Sequence, residues 1–197
     1  MITQNETAVL LCFFPKLESL STKEIEMKTG FSHDKTFRTL QGLVNRKFLS
    51  KKQIGGTNIF NFEKSNRDLT YLVFVHYMTN RRLAFRAKHN LLYRRLYEFL
   101  NEVKPEGPAV IFGSYAKGIQ TEKSDVDILI ATKNKNAQKI AQTYKTRYRM
   151  NIQPVVVVPL DFKNIKRDNP TFWKDLIEFG IVLDGLDWFF KEVYAGD

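Results

Sequence analysis

The sequence of 197 residues contains one cysteine, three histidines and no long apolar segment. The lone Cys12 excludes an internal disulfide framework and a zinc site built on cysteine pairs. The valine run at 155–158 is far too short to span a bilayer, and the first residues carry no signal-peptide pattern. We therefore expect a cytoplasmic protein without membrane contacts. An apolar fraction of 43% is ample for packed cores.

Acidic residues are few, and the excess of basic residues is unevenly placed. The chain carries 31 Lys and Arg against 21 Asp and Glu, a formal net charge of +10. Residues 1–104 hold 18 of the basic and 9 of the acidic side chains, so nearly all of the excess lies in the first half. This asymmetry favours a polyanionic partner for that half, although a merely basic surface has the same composition.

Two short helices are predicted early in the chain. Ser21 and Glu24 form a capping box that begins the first helix, and Gly30 ends it. Ser32 can cap the second helix. Two short helices joined by a tight glycine turn form a helix-turn-helix, whose second helix enters the major groove of DNA.

The second of these helices is predicted to have two different faces. Phe37, Leu40 and Val44 are spaced as one apolar stripe. The opposite face carries side chains able to contact phosphates and base edges, namely Lys35, Arg38, Thr39, Gln41 and Asn45.

A hairpin is predicted after the two helices. Strand-like runs at 48–53 and 57–62 are separated by a turn that contains Gly55 and Gly56. Helices followed by a hairpin, over roughly residues 5–65, resemble the winged helix-turn-helix domains of prokaryotic transcription regulators. The resemblance implies double-stranded DNA as a partner, a homodimer that reads two half-sites, and backbone contacts from Lys51 and Lys52 in the wing. Winged helices also dock proteins, and that alternative stays open.

The middle of the chain is predicted to be helical. Residues 68–103 contain neither proline nor glycine, and they indicate one long helix or two helices that meet near Thr79 and Asn80. Residues 105–108 (PEGP) then break the chain and mark a domain boundary. Six basic side chains crowd the helical segment and favour either contact with a polyanion or a solvated face that supports dimer packing: Arg81, Arg82, Arg86, Lys88, Arg94 and Arg95.

The most informative motif lies between residues 109 and 130. An apolar run ends at Gly113 and Ser114, and Asp125 and Asp127 open a second apolar run. Gly113 lets the backbone approach a phosphate closely, and Ser114 adds a hydroxyl group. Carboxylates two positions apart on a strand project from one face, where they suit Mg²⁺ that bridges substrate phosphates. The pattern predicts a phosphoryl- or nucleotidyl-transfer site.

This motif resembles the signature of the DNA polymerase β-like nucleotidyltransferases, and its fuller form (GSYAKG…SDVDI) is similar to the minimal nucleotidyltransferase domains of prokaryotes. The resemblance covers roughly residues 106–197. It implies Asp125 and Asp127 as catalytic metal ligands, with Mg²⁺ or alternatively Mn²⁺, and a nucleoside triphosphate, ATP first, as substrate. The residues expected to bind the nucleotide are Gly113, Ser114, Lys117 and Ser124.

The expected fold class is α+β, with three segments. A winged helix-turn-helix is predicted at 1–66, a connecting helical segment at 67–104, and a nucleotidyltransferase-like domain with a mixed α/β architecture at 105–197. Residues 134–149 are predicted to be helical in the last segment, and residues 152–158 to form a strand.

The match to the nucleotidyltransferases has one gap. Family members carry a third carboxylate on the next strand, where the aligned position is Gln153, with Asn151 on the same face. Neither amide ionises, so neither can act as a general base. Asp161, which lies beyond Pro159, is the remaining candidate for that role.

Three functions therefore stay open. The first is an enzyme that transfers a nucleotide to a protein or nucleic-acid acceptor. The second is a transcription regulator whose degenerate nucleotidyltransferase domain only binds nucleotide or dimerises. The third is a non-catalytic interaction protein whose winged helix docks another protein.

Overall fold

The computed structural model describes residues 2–194 and divides into two compact units, Met1–Tyr77 and Met78–Asp197. Helices and strands mix in both units, which confirms the predicted α+β class. None of the helices among residues 2–194 has the length and apolar character that a bilayer-spanning segment needs.

The first unit alternates short helices with a small antiparallel sheet. The sheet has the strand order β1-β3-β2. Its elements before the long helix are α1 (Gln4–Leu11), β1 (Leu20–Ser21), α2 (Thr22–Thr29), α3 (His33–Asn45), β2 (Leu49–Ile54) and β3 (Thr57–Phe62).

Most of the predicted local signals of the first unit are present, but Ser32 occupies the N-cap of α3 without a side-chain capping bond. Ser21 and Glu24 form the capping box of α2, and Gly30 ends that helix in the left-handed conformation at φ +68°. Strands β2 and β3 pair from Leu49 with Phe62 to Ile54 with Thr57, which leaves a two-residue glycine turn. Positive φ at both turn residues suits the twist of a hairpin.

The apolar stripe predicted for α3 is partly wrong. Its buried residues are Thr36, Leu40 and Leu43, whereas Phe37 is 47% exposed and Val44 is half-buried. The buried face of α3 is thus rotated from the predicted stripe, because the small Thr36 faces the core and its hydroxyl donates to the carbonyl of Ser32. The aromatic Phe37 is left at the surface.

The connecting segment consists of two helices. Helix α4 (Arg67–Lys88) includes the boundary between the two units, and α5 (Asn90–Val103) follows after His89. The predicted break near Thr79 and Asn80 is therefore wrong. The chain bends at His89 instead, where the imidazole packs against the rings of Phe85 and Tyr115 at centroid distances of 5.0 and 5.4 Å.

The second unit is built on a four-stranded mixed sheet in the order β6-β5-β4-β7. Strand β5 is parallel to β6 and antiparallel to β4, and β4 is antiparallel to β7. This sheet, with the helices around it, agrees with the mixed α/β architecture predicted for the last segment. The elements of the unit after α5 are β4 (Ala109–Ile111), α6 (Gly113–Lys117), β5 (Val126–Ala131), α7 (Ala137–Tyr148), β6 (Ile152–Val157), a 3-10 turn (Pro159–Asn164), α8 (Ile165–Asp168), α9 (Pro170–Phe179), β7 (Ile181–Asp184) and α10 (Leu186–Tyr194).

One face of β5 packs in the core and the other carries Asp127. Val126, Ile128 and Ile130 belong to a buried cluster that also includes apolar residues of α5 and α7. Since side chains alternate along a strand, Asp127 projects from the opposite face. The hydrophobic packing of one face therefore fixes where the carboxylate lies on the other.

Helix α7 begins three residues later than the predicted position 134. The side chain of Asn134 is used by the preceding loop, since its amide donates to the carbonyl of Val103 and its oxygen accepts from the Asn136 N–H. Helix α9 begins at Pro170, where the side chain of Asn169 accepts from the Phe172 N–H.

Candidate nucleotidyltransferase site

The site is organised around two acidic side chains at the start of β5. Asp125 immediately precedes the strand and Asp127 is its second residue, and both are half-buried. The backbone N–H of Phe112 donates to the carbonyl of Asp127 at 3.0 Å. This bond ties the end of β4 to the carboxylate strand, so the turn after β4 lies beside Asp127.

Gly113 is in contact with this carboxylate. Its φ of +66° lies in the left-handed region, and a Cβ placed there would be 2.2 Å from Oδ2 of Asp127. Both facts require glycine, first for the backbone conformation and second for the space. Helix α6 begins at this glycine, so Ser114 and the amides of its first turn stand next to the carboxylate.

Strand β6 brings two amide side chains to the same place. Gln153 pairs in parallel register with Asp127, which is the position expected for a third carboxylate. One residue before β6, the Asn151 amide donates to Oδ1 of Asp125. The site therefore contains two carboxylates and two neutral amides.

Asp161 lies at the wrong end of the sheet to replace the missing carboxylate. Val157 at the end of β6 pairs with Ala131 at the end of β5, and Asp161 comes four residues later in the 3-10 turn. The six residues of β5 span about 16 Å at about 3.3 Å per residue. Both aspartates lie at the opposite end of that span, so Asp161 lies outside their shell.

The electrostatics of the pair favour a bound cation. Burial, and then the negative charge of Asp125, raise the pKa of Asp127 above its ordinary value. Within residues 2–194, no cluster of three or more His, Cys, Asp or Glu side chains could hold a metal. Two carboxylates fit one hard divalent ion such as Mg²⁺, which normally completes its shell with water and substrate phosphates.

The other predicted nucleotide-binding residues have definite partners. Lys117 Nζ lies 2.7 Å from a carboxylate oxygen of Asp175 and 5.1 Å above the ring of Phe179. Ser124 accepts from the Thr121 N–H at 2.9 Å and so shapes the turn before Asp125. A phosphate would have to compete with Asp175 for Lys117. Ser124 instead stabilises the turn that positions Asp125.

A cavity of about 320 Å³ adjoins the site. Ser124 and Asn151 line it. Ser124 precedes Asp125 in the chain, and Asn151 is hydrogen-bonded to Asp125. Sequence reasoning missed this cavity because its walls come from α5, α6, the end of α7 and the chain around the starts of β5 and β6. No local pattern predicts that these distant segments converge.

The residues predicted to bind DNA lie in the first unit and are mostly exposed. On α3, Lys35, Arg38 and Gln41 are exposed and Thr39 is half-buried. The Lys35 ammonium sits 3.6 Å above the ring of Phe31. The predicted wing residues Lys51 and Lys52 are adjacent on β2 and exposed, so they point to opposite faces of the hairpin.

The basic excess is shared between the units. Residues 1–77 hold 11 Lys and Arg against 7 Asp and Glu, while residues 78–197 hold 20 against 14. Much of the charge counted in the first half thus belongs to the second unit. Part of it is structural, because the Arg81 guanidinium donates to the carbonyls of Glu178 and Phe179 at the end of α9.

The comparisons with known proteins agree with this geometry. Residues 95–187 match the family model described as Polymerase beta, Nucleotidyltransferase. This stretch is therefore similar to a nucleotidyltransferase domain. The matched stretch contains the Gly113 turn and both aspartates.

Two curated relatives from Methanocaldococcus jannaschii are similar to parts of the chain. MJ1305, provisionally named a protein adenylyltransferase, is 36% identical over 84 residues, which cover 38% of this chain and 56% of that protein. MJ0141, with the same provisional name, is 43% identical over 54 residues, which cover 24% of this chain and 54% of that protein. The chain spans about half the length of each relative.

One solved structure also aligns with the chain. It is an IclR family transcriptional regulator from Brucella abortus, with 15% identity over 87% of this chain and 66% of that chain. Its TM-score of 0.32 is too low to support an argument about the fold or function.

Proposed function

We propose that this protein transfers a nucleoside monophosphate from a nucleoside triphosphate, ATP first, to a hydroxyl group of a protein. The observation that carries the proposal is the contact between Gly113 and Asp127, with Asp125 on the same face. A tight glycine turn beside two carboxylates suits a triphosphate held against a cation. The provisional names of the two relatives support a protein acceptor and adenylyl transfer.

The residues of the chain then divide the work. The turn at Gly113 and Ser114 receives the outer phosphates, since the backbone N–H groups of the turn and the Ser114 hydroxyl can donate hydrogen bonds to them. Asp125 and Asp127 would hold a divalent ion, Mg²⁺ or Mn²⁺, beside the α-phosphate. When bound, this ion supplies charge stabilisation for the phosphate oxygens during displacement of pyrophosphate.

The two amides tune the carboxylates. Asn151 donates to Asp125, which fixes the orientation of that side chain. Gln153, next to Asp127, adds no charge, so the aspartate pair carries a smaller negative charge than a three-carboxylate site. We expect turnover to be slower than with a full carboxylate set but metal-dependent.

A binding experiment tests the assignment of the site. Mg²⁺-dependent binding of ATP should be lost when Asp125→Ala and Asp127→Ala are combined, measured by calorimetry beside the wild-type protein. The exposed pair Asp168→Ala and Asp187→Ala is a control that removes the same charge elsewhere. Equal affinity of the wild type and the Asp125/Asp127 variant would remove the site from the account.

We propose a second function, DNA binding, for the first unit. The observation that favours it is the exposed polar face of α3, whose Lys35, Arg38 and Gln41 precede a hairpin that carries Lys51 and Lys52. We interpret this unit as a winged helix-turn-helix, expected to act as a homodimer on two half-sites.

Charge reversal on α3 tests this second function. Lys35→Glu with Arg38→Glu should weaken binding to double-stranded DNA on the order of 10-fold or more and reduce the salt dependence of binding, because fewer counterions are released. Fluorescence anisotropy at several salt concentrations measures both effects. ATP affinity should stay unchanged, and unaltered DNA binding by the variant would contradict the assignment of α3.

The alternative to an enzyme is a regulator that senses nucleotide without turnover. It predicts Mg²⁺-dependent ATP binding that alters DNA affinity, with no label transferred from α-labelled ATP. The two readings separate in one assay, since transfer to any macromolecule favours the enzyme.

A further inference from the structure

The cavity beside Asp125 is placed where an acceptor must enter. In a displacement at phosphorus, the attacking and leaving oxygens lie roughly in line. The proposed leaving group, pyrophosphate, is held at Gly113, which contacts Asp127. The attacking oxygen should therefore come from beyond Asp125, and the cavity opens there because Asn151 both lines it and bonds to Asp125.

The chemistry of the cavity wall defines the occupant. Leu91 and Leu92 supply apolar surface, and Leu91 is 68% exposed. Arg149 adds a positive charge, and Arg95 adds a second one that it shares with Glu98. A volume of about 320 Å³ is at the small end of ligand pockets, about 300–1,000 Å³, and admits a side chain rather than a folded surface. Apolar walls with cationic rims suit an acidic polypeptide segment.

The cavity also contains a carboxylate that the sequence pattern did not indicate. Glu122 lines the wall, and no other Asp or Glu does so within residues 2–194. The remaining charged or titratable groups in the wall are Arg95, Tyr115, Tyr148 and Arg149. Arg95 is already engaged, with Glu98 at 2.5 Å and the ring of Tyr148 at 3.9 Å. Glu122 is thus the one carboxylate among the described wall residues that could take a proton from a hydroxyl in the cavity.

We propose that this cavity is the acceptor subsite, that it takes a hydroxyl-bearing side chain of an acidic polypeptide segment, and that Glu122 is the general base. The inference rests on the proposed transfer reaction. The acceptor oxygen forms a bond to the α-phosphorus, the bond from that phosphorus to the bridging oxygen breaks, and pyrophosphate leaves. The hydroxyl proton passes to the Glu122 carboxylate. This assignment supplies the base that Gln153 and Asn151 cannot provide.

The first test removes the base. Glu122→Gln should lower the rate of adenylyl transfer about 100-fold or more, the usual range for a general base, while the affinity for Mg²⁺ and ATP stays at the wild-type value. Asp161→Asn is the matched control and should transfer at the wild-type rate. A Glu122→Gln rate within threefold of wild type would overturn the assignment, and so would a joint loss of ATP binding.

The second test measures the acceptor subsite without catalysis. The probe is a fluorescent acidic peptide that carries leucine and one serine, compared with a basic peptide of the same length. Arg149→Asn should weaken binding of the acidic peptide about 10-fold, whereas Arg147→Asn, which removes an equal charge from α7 outside the cavity wall, should not. Asparagine suits position 149, where φ is +54°.

The outcomes of the two tests separate this inference from the proposed function. Loss of ATP binding in the aspartate variants together with Arg149-independent peptide binding would sustain the nucleotide site and overturn the subsite. Equal binding of both peptides, or no peptide binding by the wild type, would also overturn it. A single-stranded oligonucleotide that binds through Arg149 when the peptide does not would assign the cavity to nucleic acid and contradict a polypeptide acceptor.

Discussion

Each unit contains a partly buried carboxylate, and the pKa values of the two are shifted in opposite directions. In the first unit, burial opposes the ionisation of Glu6, but hydrogen bonds from Thr3 and Arg46 outweigh it and hold the pKa of Glu6 below its ordinary value. In the second unit, burial and the neighbouring Asp125 raise the pKa of Asp127. The negative charge of Glu6 is neutralised by Arg46 within the fold, whereas the charge of Asp127 is left uncompensated and suits a bound cation.

The geometry explains this difference. Arg46 donates to both carboxylate oxygens of Glu6 at 2.9 and 3.0 Å, and Thr3 completes a capping box for α1. Asp127 has a like-charged neighbour and a neutral amide beside it. A fold that tolerates uncompensated charge at one place usually does so for function. The comparison therefore distinguishes Glu6, which stabilises the fold, from Asp127, whose charge suits ligand binding.

The largest expected effect comes from closing the space beside Asp127. Gly113→Ala would place a methyl group 2.2 Å from Oδ2 of Asp127, in addition to left-handed strain. A displacement of about 1 Å in a reacting site costs on the order of 100-fold, so Mg²⁺-dependent ATP binding or transfer should fall by about that factor.

Gly118→Ala is the matched control for that substitution. Gly118 has a φ of +73°, and a Cβ there meets nothing within 4 Å, so only the backbone strain remains. It should lower the stability by about 1 kcal/mol and leave ATP binding intact. Equal loss of ATP binding in both variants would show that backbone strain alone causes the loss. It would contradict the role assigned to the contact between Gly113 and Asp127.

The next effect concerns the stabilising carboxylate. Glu6→Gln should lower the free energy of unfolding by about 1–3 kcal/mol, because Arg46 loses a charged partner and the Thr3 N–H loses a charged acceptor. The lowered pKa of Glu6 means that its contribution is present above the unfolded-state pKa and is lost as pH falls through the folded-state pKa. Denaturant titrations should therefore show a less stable variant at pH 7 and equal stabilities of the wild type and the variant in acid.

The smallest effect has the opposite sign. Asp127→Asn should raise the free energy of unfolding without metal by less than about 1 kcal/mol, since water screens this half-exposed pair. The raised pKa of Asp127 means that the wild type is relatively favoured below the unfolded-state pKa and loses this advantage as pH rises through the folded-state pKa. The gain should thus appear at neutral pH and vanish in acid. A loss of stability at neutral pH would contradict the repulsion.

Much of the second unit could be predicted from local pattern. Glycine and serine after an apolar run, followed by Asp125 and Asp127 before another, define a strand-turn-helix and a strand whose period fixes the carboxylate face. The register that places Gln153 beside Asp127 also followed from the alternation along β6. Such features depend on residues close in sequence, where spacing determines geometry.

Other features were beyond the reach of the sequence. The bend at His89 depends on packing against Tyr115, which is distant in the chain. The core-facing position of Thr36 depends on where the other helices pack, so the stripe through Phe37 was wrong. The wall of the cavity joins Arg95, Glu122 and Arg149 through tertiary contacts alone. Each of these depends on long-range packing that no local period encodes.

The central claim is that Asp125 and Asp127 support nucleotide transfer, and one measurement tests it most directly. Each α-labelled nucleoside triphosphate is incubated with Mg²⁺ or Mn²⁺, the protein and cell extract as the acceptor source, beside the variant that combines Asp125→Asn with Asp127→Asn. The account predicts that label from ATP moves onto a protein with the wild type and that the variant transfers at least about 1,000-fold less, the loss expected when the charge-stabilising ligands are removed. Equal labelling by both proteins, or no transfer of any nucleotide by the wild type, would contradict it.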